Sequence, residues 1–228
     1  MARRGGGGRG GSGGGGGNAG IFRPILQWLR RSTRGGSGGG GGTRPSGHHG
    51  RPNTPGPHTV PRYHRQKPML DKYRHETDPN HPANPFPGRS VRRLSPQERE
   101  AHRVFVDPNG NLRRARDGSL YDTQSGTSAW GGQRAIFVMD GNGNMYASNH
   151  HAPGQFHHSS LAGGHPVAAA GELSVTNGRV NYATAASGHY QPGPEHMSNL
   201  AQEFSRNGIR PPIWDFQGPR PGGRPMFA

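Results

Sequence analysis

The stretch Ala135-Ile-Phe-Val-Met139, continued by Asp140-Gly-Asn-Gly143 and Asn144-Met-Tyr-Ala147, decides the fold. Five consecutive apolar residues with β-branched and aromatic side chains at the centre make a strand. Asp, Gly and Asn supply the backbone conformations of a tight turn, so the second run folds back as a hairpin. A second hairpin follows downstream. Gly171-Glu-Leu-Ser-Val175 and Arg179-Val-Asn-Tyr182 flank Asn177-Gly178, a pair suited to the positive φ of a two-residue turn. Alternation predicts that Leu173 shares a face with Val175, and Val180 with Tyr182. Upstream, Val104-Phe-Val106 reads as a strand closed by the turn Asp107-Pro-Asn-Gly110.

Helices flank these strands. Ser95 suits an N-cap, Pro96 the first helical position and Glu98 the return leg of a capping box, which predicts a short helix through about His102. Pro194 opens a longer helix over Glu195–Asn207. Its apolar stripe is Met197, Leu200, Ala201 and Phe204, and Gly208 follows as the left-handed terminator. The expected module is therefore α+β: a small twisted, mainly antiparallel β-sheet with a C-terminal helix, over residues 95–210. With so small a core its stability should be modest. Residues 211–228 return to Pro and Gly and read as a disordered tail.

Residues 1–94 read as a disordered, basic, low-complexity arm. Only 28% of the 228 residues are apolar, and 41 Gly with 22 Pro exceed a quarter of the chain. Such a composition buries too little apolar surface to offset backbone ordering along its whole length. Twenty-one of the glycines fall in the first 50 residues. The net charge of +15 is equally uneven: residues 1–75 carry +13 and the remainder +2. Sequence-independent attraction of the arm to nucleic acid or an anionic membrane follows from that charge alone. Ile21, Ile25, Trp28 and Leu29 mark one face of a short amphipathic helix over residues 21–31, too short to be stable by itself.

The absence of cysteine excludes disulfides, Cys-based zinc sites and a catalytic Cys. No run approaches the roughly 20 apolar residues of a membrane span, and no clear signal peptide is present.

The densest polar constellation lies between His150 and Tyr190. It holds Phe156-His-His-Ser-Ser160, Ala170-Gly-Glu172 and Ser187-Gly-His-Tyr190. His and Glu can move protons, and neighbouring glycines allow close backbone approach. The same residues can equally satisfy buried backbone groups at strand ends, and spacing alone favours that reading. Ser159 and Ser160 lack the Gly-x-Ser-x-Gly turn of a hydrolase nucleophile. The histidines lack His-Glu-x-x-His and His-x-x-x-His spacing, so no metal site is expected. In an extended chain, adjacent pairs such as His157-His158 would point to opposite faces.

Taken in order, Asp107-Pro-Asn-Gly-Asn-Leu-Arg-Arg114, Asp117-Gly-Ser-Leu-Tyr-Asp-Thr123, the Ala135–Tyr146 block, Phe156-His-His-Ser-Ser-Leu161, Gly171-Glu172 and Ser187-Gly-His-Tyr190 resemble a C-terminal module of bacterial polymorphic toxins and secreted effectors. The series also resembles the C-terminal part of plant IQ-motif calmodulin-binding proteins, although their IQ segment has no match here. The resemblance covers about residues 103–210. Some such effectors are mono-ADP-ribosyltransferases. That likeness implies a secreted bacterial toxin that transfers ADP-ribose from NAD, its substrate, to a protein target. It further implies delivery by a non-classical route, action as a monomer and a neutralising immunity protein. The same likeness gives Glu172 the role of catalytic carboxylate, with His189 and Tyr190 also in the catalytic set, and His158, Ser159 and Ser160 as NAD-binding residues. The chain departs from those transferases in lacking a Glu-x-Glu or Gln-x-Glu pair. Two other readings stand beside this one: a non-catalytic protein- or ligand-binding module, and polyanion binding through the arm.

Overall fold

The computed structural model describes residues 61–128 and 131–228. The arm up to residue 60, with the short helix expected at 21–31, lies outside the described residues. Seven strands form one sheet: β1 (Arg103–Val106), β2 (Leu112–Arg114), β3 (Ala135–Met139), β4 (Met145–Ser148), β5 (Ala169–Thr176), β6 (Arg179–Thr184) and β7 (Ile213–Trp214). Their order across the sheet is β2-β1-β4-β3-β5-β6-β7, antiparallel throughout except for the parallel pair β6–β7. Three helices complete the fold: α1 (Pro96–Glu100), α2 (His158–Ala162) and α3 (Pro194–Arg206). The α+β architecture with its C-terminal helix is the one the sequence predicts.

The central strand β3 is buried at all five positions. A strand covered on both faces has no polar side to alternate with, which accounts for its unbroken apolar run. Ala135, Phe137 and Met139 join a core with Leu173, Val175, Met197, Leu200 and Phe204, so one face of the sheet packs on α3. Ile136 and Val138 join a second core with Ala170, Leu161 and Tyr190, so the other face packs on α2 and the chain after β6. The stripe predicted on α3 is the stripe it buries, and Gly208 follows its C-cap Asn207 with φ of +77°. The Ser95 hydroxyl accepts from Glu98 N–H while the Glu98 carboxylate accepts from Ser95 N–H, completing the predicted capping box of α1.

Two local expectations are corrected. Val180 pairs with Val175, but Tyr182 pairs with Ser174, on the opposite face. A register shift between Ser174 and Val175 reverses the alternation, as a bulge does. Asn181, at the irregularity, donates to Thr176 Oγ1 at 2.9 Å. The ordered fold is also wider than residues 95–210. Residues 61–94 have little regular secondary structure, yet they wrap the module. The Tyr63 hydroxyl donates to Glu203 on α3 at 2.8 Å, and Lys67 forms a bridge with Val167. Asn199 of α3 donates to the carbonyls of Arg65 and Ala168, tying strap, helix and sheet together. Val91 and Leu94 are buried. At the other end, Ile213 and Trp214 extend the sheet beside β6, and Phe227 forms a bridge with Ile213, so 211–228 is part of the structure.

Candidate functional site

Helix α2 is one short turn, and its ends are fixed locally. The Ser160 hydroxyl accepts from His157 N–H at 3.0 Å, and Gly163 closes the turn with φ of +62°. Because the chain turns helical here, His157 and His158 do not split between opposite faces; both are buried. His158 Nε2 donates to the carbonyl of Gly171 on β5 at 2.8 Å. Gly171 has no room for a side chain: a Cβ there would lie 1.7 Å from the Thr184 carbonyl oxygen.

The tautomer of His157 follows from its neighbours. Gly154 N–H can only donate, so His157 Nε2 at 2.8 Å accepts. In the neutral ring the proton then sits on Nδ1 and is donated to His151 Nε2 at 3.0 Å. Burial, and then the neighbouring His189, depress both rings: His157 to about 3 and His151 to about 4. His158 is depressed to about 3, again chiefly by burial.

His189 lies in the loop between β6 and α3, with its ring 4.4 Å from that of His157. It stacks on Tyr73 at 3.9 Å and donates from Nε2 to Glu76 at 2.7 Å. Glu76 is fully buried, and the Arg93 guanidinium lies 3.6 Å from its other oxygen. Phe86 closes the cluster over His157, ring centroids 5.2 Å apart. Tyr73, Glu76, Phe86 and Arg93 all come from the segment read as arm, so sequence reasoning missed half of the cluster. A signal was present: residues 61–94 hold one glycine, Gly88, where the preceding chain is glycine-dense, and aromatic and acidic residues appear there together.

The remaining proposed residues divide. Tyr190 is buried beside His189; its hydroxyl donates to the His165 carbonyl at 2.9 Å, and its N–H donates to Ser187 Oγ. Ser160 serves the cap of α2, and Ser159 is buried with its hydroxyl unpartnered. Glu172 lies on β5 next to Gly171 but is held elsewhere, by the Ser128 hydroxyl and by Arg134 at 3.2 Å. Burial raises its pKa against the opposing pull of those two groups. The histidines, Ser160 and Tyr190 thus converge, while Glu172 faces its own pair of partners. All six proposed residues are at most 3% exposed. Among the described residues, surface depressions beside Arg179 and beside Arg114 are lined by none of the six. Chemically, this is a polar core of rings and one buried carboxylate, closed to solvent on the described side chains.

Residues 98–197 match the family model described as IQ motif-containing protein middle domain. Among curated proteins the chain is similar to IQ domain-containing protein IQM3 of Arabidopsis thaliana, 33% identical over 119 residues, or 52% of this chain and 25% of that protein. IQ domain-containing protein IQM4 of the same plant is 28% identical over 132 residues, 57% of this chain and 23% of that protein. The chain therefore spans about a quarter of the length of these relatives. No solved structure matches. These matches overturn the reading as a secreted bacterial toxin or effector that transfers ADP-ribose, because the relatives are plant IQ domain-containing proteins. Of the two resemblances carried by the ordered sequence blocks, the one to plant IQ-motif proteins stands, and the matching model is that of their middle domain, not their C-terminal part.

Proposed function

We propose that this chain acts as a non-catalytic module that binds a protein partner. The observation that carries this reading is the burial of the residues that look catalytic. A catalytic carboxylate must reach its substrate, and binding pockets are concave and open to the ligand. Glu172 is instead 0% exposed and occupied by Arg134 and Ser128. The histidines hold backbone carbonyls, backbone N–H groups, one another and Glu76. Similarity to the middle domain of IQ motif-containing proteins supports the same side. The outer surface is basic. Residues 61–228 hold 19 Lys/Arg and 13 Asp/Glu, and Glu76, Glu172 and Glu203 among the acids are buried. A partner presenting acidic groups suits such a surface.

The experiment is affinity purification of the full chain from its own cells, with co-purifying proteins quantified for wild type, Glu172→Gln and the surface pair Arg179→Glu with Arg210→Glu. The expected outcome is a partner retained at wild-type stoichiometry by folded Glu172→Gln and reduced at least tenfold by charge reversal at the surface. A covalent change in the co-purified protein that folded Glu172→Gln abolishes would contradict the proposal.

A further inference from the structure

A depression beside β1, β2 and β4 brings together Arg103, Arg114, Arg116, His102, His150 and Tyr121. None of its described lining residues is acidic. Arg114 is fixed in place: it donates to the Leu120 carbonyl at 2.7 Å, and its guanidinium lies 4.7 Å from the centre of the Tyr121 ring. Arg103 and Arg116 meet Glu100 and Asp117 through solvent-exposed contacts of 3.4 and 3.2 Å, and Arg103 also donates to Asn144 Oδ1 at 3.2 Å. Exposed pairs of this kind are worth at most about 1 kcal/mol, so an incoming anion can compete for both guanidinium groups.

Two buried polar atoms in this lining have no partner. Tyr121 is 3% exposed and its hydroxyl makes no hydrogen bond. Tyr121 lines the depression together with Arg114 and Arg116. Asn149 uses both amide hydrogens, on the Asp122 carbonyl and on Ser125, and leaves Oδ1 buried and unpaired. Leaving a buried donor or acceptor unmade costs about 1–3 kcal/mol, and natural structures keep few such groups. Cations, one hydroxyl donor and one carbonyl acceptor together describe a ligand that is an anion and also carries a hydrogen to donate.

We propose that this depression binds a phosphate group, either as the free hydrogen phosphate ion or as the phosphate of a modified side chain. The phosphate oxygens take the guanidinium groups and the Tyr121 hydroxyl. A P–O–H hydrogen, or an N–H beside a phosphorylated side chain, meets Asn149 Oδ1. Sulfate carries the charge without the hydrogen and is the weaker ligand.

The test is thermal unfolding of the full chain at fixed ionic strength with inorganic phosphate, sulfate or N-acetyl-phosphoserine amide. Because the arginines of the N-terminal arm attract any anion, each response is compared with Tyr121→Phe and with Arg116→Gln. The expected result for wild type is a rise of about 2–4 °C at saturating phosphate. Sulfate should give a smaller rise, and apparent phosphate affinity should fall at least tenfold in both variants. Tyr121→Phe should melt no lower than wild type without phosphate, since it removes an unpaired hydroxyl. A phosphoserine response stronger than that of phosphate assigns the site to a modified side chain, and the reverse assigns it to the free ion. Equal responses from wild type and both variants, a sulfate response matching phosphate, or no response to any of the three would overturn the proposal.

Discussion

Gly171→Ala should abolish the cooperative fold. The new methyl group would lie 1.7 Å from the Thr184 carbonyl oxygen, 2.9 Å from its carbon and 3.2 Å from the Phe137 ring. The first two are backbone of β6, and Phe137 is 0% exposed on β3. Gly171 sits between these strands in the middle of the sheet, so relief requires separating β5 from a neighbour or moving a close-packed ring. Either movement also disturbs the Gly171 carbonyl that His158 holds at 2.8 Å. Overpacking in a well-filled core costs about 1–3 kcal/mol where side chains can yield, and a collision with backbone exceeds that. An expected loss above about 4 kcal/mol consumes most of the stability of a small domain. Circular dichroism melting of purified protein measures it. A melting temperature within about 2 °C of wild type would mean that β5 and β6 do not approach as described.

Glu76→Ala should be nearly as damaging, although Glu76 belongs to a segment with almost no regular secondary structure. Its carboxylate is 0% exposed, accepts from His189 at 2.7 Å and faces Arg93 at 3.6 Å. Removing one partner of a buried ionic contact costs about 3–5 kcal/mol, because the remaining groups stay desolvated without their counterpart. Glu76→Gln keeps an acceptor for the His189 N–H and should lose clearly less. Urea unfolding with an unchanged slope is the measurement. A change below about 0.5 kcal/mol, usual for a substitution in a solvated arm, would detach residues 61–94 from the module.

The elements legible in the sequence are those whose chemistry is local. The Asp140–Gly143 and Asn177-Gly178 turns, the capping box at Ser95 and the stripe of α3 each depend on residues within one turn or hairpin, and all are found. Helix α2 was not legible. His158-Ser-Ser-Leu-Ala162 has no apolar period, and its start depends on a serine cap and on a bond from His158 to a distant strand. β7 is two residues long and exists through pairing with β6 and Phe227. The strap 61–94 escaped because its order comes from single long-range contacts such as Tyr63 with Glu203 and Glu76 with His189. For the same reason the candidate site was half visible. Ordered blocks brought His158, Ser160, His189 and Tyr190 into one neighbourhood, as the structure does. They gave no sign that Tyr73, Glu76, Phe86 and Arg93 would close over it, which turns an apparent catalytic set into an interior.

That closure is the central claim, and histidine protonation tests it most directly. His157 and His158 are depressed to about 3, against about 6.5 for a solvated ring in the unfolded chain. A depressed histidine binds its proton more readily in the unfolded state. Its stabilising contribution is therefore complete above about pH 6.5 and is lost as the pH falls toward 3. For fully buried His158 the loss reaches about 2 kcal/mol by pH 5. The measurement is ring-proton NMR of the full chain from pH 7.5 to 5, with unfolding followed in the same samples. The predicted result is that the His157 and His158 resonances hold their neutral-ring positions for as long as the protein is folded, while stability falls with pH. Reversible titration of either ring between pH 6 and 7 in the folded protein would contradict the account, since it would open those histidines to solvent.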